Sequence, residues 1–315
     1  MQDPIYEKLN ETGRPSLTAA SVLMLLATLG LWLSALLDWA LPQESSTLAV
    51  NAAYYLPFVA LPLALWARAS HPSADTLRLN PPPLLALPAV AALAILSVYV
   101  ASTLSALWAY GLDALGLHNL PDVQTPMTER ELALAIISMA ALPGVCEELL
   151  FRGVALSAWE SRGTGRAIGV TAALFALMHG NLYGLPAYLL VGAVSGCVTF
   201  ALDSVYAGIV YHTVYNAAVL TISYVLSSGA KAAAGSGMDA RMLAAIALET
   251  AMMAGVMALL LAALRFRARR SGILPIPRVQ RPLTGKERVA LLAALAAMLV
   301  SNATVLYFSA QAAAG

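Results

Sequence analysis

Residues 84–109 read LLALPAVAALAILSVYVASTLSALWA, with no charged side chain in the whole run. At 1.5 Å per residue such a helix reaches roughly 39 Å, more than the ~30 Å of hydrocarbon in a bilayer. Its polar atoms are confined to Ser, Thr, Tyr and Trp, so it lacks the charged face of a soluble amphipathic helix. The stretch therefore predicts a membrane-spanning helix. Working outward, runs of the same kind occur at 17–37, 51–67, 131–158, 165–182, 184–202, 204–227, 241–264 and 287–309. The connection between 165–182 and 184–202 is very short, so the expected count is eight or nine spans.

Composition agrees with that reading. The 315 residues are 60% hydrophobic and 11% charged, against roughly 25% charged in a soluble domain. With a mean hydropathy of +0.74, the chain can be neither a water-soluble globule nor a disordered segment. The expected fold is all-α, a polytopic helical bundle in a lipid bilayer. A net charge of +1 leaves no basic excess to neutralise phosphates, so nucleic acid is not an expected partner. Cys146 and Cys197 lie in apolar runs and read as buried thiols, with no zinc-type spacing. No cleaved signal peptide is expected at the mixed-charge start.

Orientation follows the basic residues. Eight of them (Arg265, Arg267, Arg269, Arg270, Arg278, Arg281, Lys286 and Arg288) fall in one stretch, read as cytoplasmic and as a topology anchor rather than a lipid site. Alternation then places the N-terminus, residues 69–83 and the Arg162–Arg166 loop on the same side. Asp113, Asp122 and Glu129 fall on the other. Trp39, Trp66, Trp108 and Trp159 near span ends read as an aromatic belt. The expected layout is a cytoplasmic segment 1–16, N-terminal helices 17–128, a core 129–227, and C-terminal helices 228–315 with the basic loop 265–288. Residues 69–83, 228–240 and 271–285 read as connectors. Gly192 and Gly196, with Ser195, read as close helix packing. High Ala and Leu content suggests a bacterial source, hence a multi-pass protein of the bacterial inner membrane.

Ionisable groups inside a bilayer cost several kcal/mol each and need a reason. They gather at Glu147, Glu148 and Arg152 on the fourth span, His179 on the fifth, and His212 with Asn216 on the seventh; Glu249 stands apart and reads as structural. If the fourth and fifth helices turn near residue 163, Glu147 and His179 are sixteen residues from it on either side and share one depth. His212 and Asn216, four apart, share one helix face. Glu148 and Arg152 suit an i, i+4 ion pair, which leaves Glu147 available as a general base or acid. His179 can orient a water with Glu147. His212 and Asn216 can donate to the oxygen that turns negative when water attacks a carbonyl. Each group also has a plain structural reading as helix glue. Pro143-Gly144 predicts a kink in the fourth helix.

Three motifs carry a resemblance. Glu147-Glu148-Leu149-Leu150-Phe151-Arg152 fits E-E-x-x-x-R, Phe175 to His179 fits F-x-x-x-H, and His212 to Asn216 fits H-x-x-x-N. In this order they resemble the CPBP family of CAAX proteases and bacteriocin-processing enzymes, over about residues 130–225. The resemblance implies an intramembrane endopeptidase acting on a membrane-associated peptide or protein. It gives Glu147 and His179 the activation of water, His212 and Asn216 the oxyanion site, and Glu148, Arg152 and Phe175 supporting places. It implies a glutamate-type mechanism with no cofactor, although two His and two Glu could hold zinc and no H-E-x-x-H helix is present. A prenylated substrate is not expected in a bacterial member. Two other readings stay open: a non-catalytic binding or immunity protein, and a proton-coupled transporter, for which no paired broken segments are visible.

Overall fold

The computed structural model describes residues 13–40, 47–117, 125–229, 240–270, 272 and 282–314. These form nine helices and no strand. They are α1 (Leu17–Ala40), α2 (47–70), α3 (Leu84–Asp113), α4 (Glu129–Glu160), α5 (Thr164–Met178), α6 (Leu185–Leu202), α7 (Val205–Gly229), α8 (Ala240–Arg270) and α9 (Gly285–Ala314). Eight are long and apolar enough to cross a membrane; α5 is not. Its 15 residues reach only roughly 22 Å. The pair with the short connection is thus one short helix, α5, and one full span, α6. The protein is an all-α, multi-pass membrane bundle.

The fourth span shows how local sequence sets local geometry. Thr128 caps α4, its hydroxyl accepting from the Glu131 N–H at 3.2 Å, while Glu131 accepts from the Met127 N–H at 2.8 Å. A wide π-helical stretch occupies Ile136–Ala141, just ahead of Pro143. Proline has no N–H to offer the carbonyl four residues back, and its ring crowds that carbonyl. The helix widens there into a π-helical turn beside Pro143-Gly144. A second π stretch, Leu149–Ala155, follows the acidic pair. Short π segments inside α-helices frequently mark functional sites.

The turn after α4 falls where the sequence predicts it. Gly163 opens α5 with φ of 102°, a conformation that costs other residues a Cβ clash. Residues 71–83 are more than a connector. The Val205 N–H donates to the Arg78 carbonyl at 2.8 Å, the Ser204 hydroxyl to the Asn80 carbonyl at 2.6 Å, and the Ser157 hydroxyl to the Thr76 carbonyl. A loop buried against a bundle needs such partners for its backbone groups. Arg14, Arg78, Glu160 and Asp203 meet there as well, so the segments predicted to share a side do share one end. Trp159 departs from the belt reading: it is buried, with the Arg162 guanidinium over its ring. The side chain of Trp39 and residue Asp122 lie outside the described residues, as do most of 228–240, 271–285 and 1–16.

One hydrophobic cluster runs through residues of α1 to α9, so segments 17–128 and 129–227 pack as a single body. Large apolar side chains of α8, such as Leu248, Met252 and Leu259, are exposed, as befits a lipid-facing helix. Glu249 is also exposed and accepts a hydrogen bond from the Tyr99 hydroxyl at 2.7 Å. It stands apart from the other acids.

Candidate active site

Glu147 and Glu148 leave α4 in different directions, because neighbouring helical residues differ by about 100°. Glu148 is fully buried. Its Oε2 forms an ion pair with Arg152 Nε at 3.2 Å and accepts from the Ser195 hydroxyl at 2.5 Å, and its Oε1 lies 3.0 Å from His212 Nδ1. Arg152 also donates to the Gly192 carbonyl at 3.0 Å. The i, i+4 pair is present, as expected, but its acid is additionally tied to α6 and α7. A carboxylate held by a guanidinium accepts, so His212 Nδ1 carries a proton and donates.

The close approach of α7 depends on Gly208. A Cβ there would stand 2.8 Å from Glu148 Oε2, 2.5 Å from Thr199 Oγ1 and 3.1 Å from Ser195 Oγ. A side chain at this position would push Glu148 off His212.

Glu147 faces a cavity of about 360 Å³. Its Oε1 accepts the Tyr55 hydroxyl at 2.6 Å. Its Oε2 has no hydrogen-bond partner among the described residues, and stands 3.9 Å from His179 Nε2 and 4.0 Å from His212 Nε2. His179 Nδ1 lies 2.8 Å from the Phe175 carbonyl. A carbonyl only accepts, so this nitrogen donates, and Nε2 of the neutral ring turns a lone pair toward Glu147.

Phe175 sits among these groups. Its ring meets His179 at 4.7 Å and His212 at 5.7 Å, and the Arg152 guanidinium lies 4.7 Å from its centre. Tyr188 stacks on His179 at 4.0 Å. The imidazoles are therefore held by ring contacts as well as by their Nδ1 hydrogen bonds.

Asn216 lines the same cavity, and its amide donates to the Met139 carbonyl at 3.1 Å. In an unbroken α-helix that carbonyl would accept from residue 143, which is a proline without N–H. Asn216 thus supplies the bond that Pro143 cannot, and keeps a second N–H to offer elsewhere.

All the residues singled out from sequence, apart from Glu249, come together here: Glu147, Glu148, Arg152, Phe175, His179, His212 and Asn216. Glu148 and Arg152 stand behind His212 rather than on the cavity. Sequence reading missed Tyr55, Ser195 and Tyr188. Ser195 was visible only as part of a small-residue stripe, and Tyr55 as one aromatic in an apolar run. The signal for the latter is Asn51, four residues earlier on the same face, which also lines the cavity.

Zinc was the metal left open by two His and two Glu. Among the described residues no group of three or more His, Cys, Asp or Glu side chains is placed to hold a metal ion. Tetrahedral ligands about 2.1 Å from zinc stand roughly 3.4 Å from one another. Glu147 Oε2 is farther than that from both imidazole nitrogens, and its other oxygen is bonded to Tyr55. The side chains as they stand do not fit such a site.

No curated protein and no solved structure matches the chain. Residues 129–218, under a third of the chain, match the family described as type II CAAX prenyl endopeptidase Rce1-like. The match begins at α4 and ends two residues past Asn216, so it contains all three motifs. Over these residues the core of the chain is similar to that CAAX-protease-like family.

Proposed function

We propose that the protein is an intramembrane endopeptidase that hydrolyses a peptide bond of a membrane-associated protein or peptide with a water activated by Glu147. The observation that supports this most is the placing of Glu147 Oε2, with an imidazole nitrogen about 4 Å away on each of two sides. That separation suits a water bonded to the carboxylate and one ring, each bond near 2.8 Å. The water donates one hydrogen to Glu147 and one to His179 Nε2. Glu147 takes a proton as the water oxygen bonds to the carbonyl carbon of the substrate.

The carbonyl oxygen becomes negative in that step. His212 in its protonated form donates from Nε2, with Glu148 holding the positive ring through Nδ1, and the spare Asn216 N–H donates beside it. Glu147 then returns its proton to the leaving nitrogen as the carbon–nitrogen bond breaks. The proton count closes without a metal, and the reading uses none. Apolar and aromatic walls, including Leu31, Met139, Val191 and Tyr215, exclude bulk water and strengthen these electrostatic contacts. They suit a substrate presented from lipid.

The test is cleavage by the purified chain in liposomes, using a panel of quenched-fluorescent peptides with transmembrane or lipid anchors. The wild type cuts at least one of them, and Glu147→Ala, folded by circular dichroism, cuts none. Cleavage by the alanine variant at the wild-type rate would remove the mechanism.

A further inference from the structure

We infer that Tyr55 is a positioning residue for Glu147, supplied by α2 from outside the segment that matches the family. The inference rests on the proteolytic reading above. A working carboxylate has two oxygens and can turn about its last bond, so an unrestrained one spends much of its time misaligned with the water. Here one oxygen is tied. The Tyr55 hydroxyl donates to Oε1 at 2.6 Å, which leaves Oε2 toward His179 and His212.

Tyr55 is itself restrained. It is buried, its ring packs on Tyr54 at 4.5 Å between centres, and it ends the first α-helical part of α2, Thr47–Tyr55. Pro57 follows, inside a π-helical stretch, Leu56–Ala60. Proline cannot donate to the carbonyl four residues back, and the helix widens into its π-helical turn directly after Tyr55. Asn51, one turn earlier, faces the same cavity. The family-matched core thus lacks one restraint on its central acid, and α2 provides it. Small displacements of a positioned reactant are costly in rate; the Tyr55 ring also lines the cavity, and a change that keeps this ring and removes only its hydroxyl acts on the rate rather than on substrate affinity.

Tyr55→Phe removes a single oxygen and keeps the ring against Tyr54. Tyr99→Phe is its control: it removes a hydroxyl bonded at 2.7 Å to another carboxylate, Glu249, away from the cavity. Steady-state cleavage of an anchored peptide in liposomes is measured for both, with the unfolding midpoint in detergent. Tyr55→Phe lowers kcat about tenfold, the size expected for a hydrogen bond to a charged group. Its KM and its midpoint stay at wild-type values, and Tyr99→Phe matches the wild type throughout. Wild-type kcat in Tyr55→Phe overturns the assignment, as does a loss that appears in KM or in the midpoint instead. A wild-type chain that cleaves no anchored peptide overturns the proteolytic reading, and this assignment with it.

Discussion

Two buried acids on α4 stand thirteen residues apart, roughly 20 Å along the helix, and meet opposite environments. Glu160 has both oxygens on cations: Oε1 on Arg78 at 2.6 Å and Oε2 on Arg14 at 3.5 Å. Arg78 reaches on to Asp203 at 3.1 Å. This cluster joins the segment before α1, the 71–83 strap and the α6–α7 turn to the end of α4. Among the described residues Glu147 meets no arginine or lysine. A phenol holds one oxygen, and two imidazoles face the other. Burial alone therefore does not mark a functional acid. A carboxylate whose every lone pair meets a fixed positive charge is a fastener, because proton transfer to it would break a buried ion pair. One held by a phenol on one oxygen, with no guanidinium fixed on the other, can still accept a proton.

The largest expected effect tests that contrast directly. Glu147→Gln keeps the shape and the Tyr55 contact but removes the base, and cleavage in the liposome assay falls about a thousandfold. Its thermal midpoint stays near that of the wild type. Glu160→Gln does the reverse. It leaves two guanidinium groups short of a buried partner, at about 3–5 kcal/mol for a broken buried pair, so denaturant unfolding in detergent shifts to lower concentration. Cleavage per folded molecule is unchanged. Exchange of these two phenotypes would break the comparison.

A smaller effect sharpens it. Ser195 gives Glu148 one of its three partners, so Ser195→Ala slackens the hold on His212 without touching the cavity. The rate falls about tenfold, in keeping with one lost hydrogen bond to a charged group, with little change in melting. A wild-type rate in that variant would show that Arg152 alone fixes Glu148. The smallest expected effect is none: incubation with a zinc chelator, followed by dialysis, leaves the cleavage rate as it was. Loss of activity that returns only with added zinc would mean that Glu147 and the imidazoles close on a metal, and the water-activation scheme would need replacing.

Much of this architecture was legible in one dimension. Every predicted span corresponds to a helix, and the turn at residue 163 brings Glu147 and His179 into register by simple rise per residue. Apolar runs state helix and bilayer directly, since a chain in hydrocarbon must satisfy its own backbone. Charges inside such runs stand out because they are costly. What escaped was a partner whose chemistry is common. Tyrosine and serine occur in spans for many reasons, and nothing in the runs around Tyr55 or Ser195 says which carboxylate each would meet. Residues 69–83 read as a plain connector for the same reason: prolines mark a break between helices, while the partners that hold the segment, Asp203, Ser204 and Val205, are more than a hundred residues away.

By itself, then, the sequence determined that the chain is a helical membrane bundle and which acids, imidazoles and amide belong to its polar centre. Those properties follow from local hydropathy and fixed helical spacing. The packing of α2, α6 and α7 around α4 decided which acid is fastened and which is left able to react. That distinction depends on distances of a few ångströms between segments far apart in the chain, where a hydrogen bond or an ion pair is either made or not.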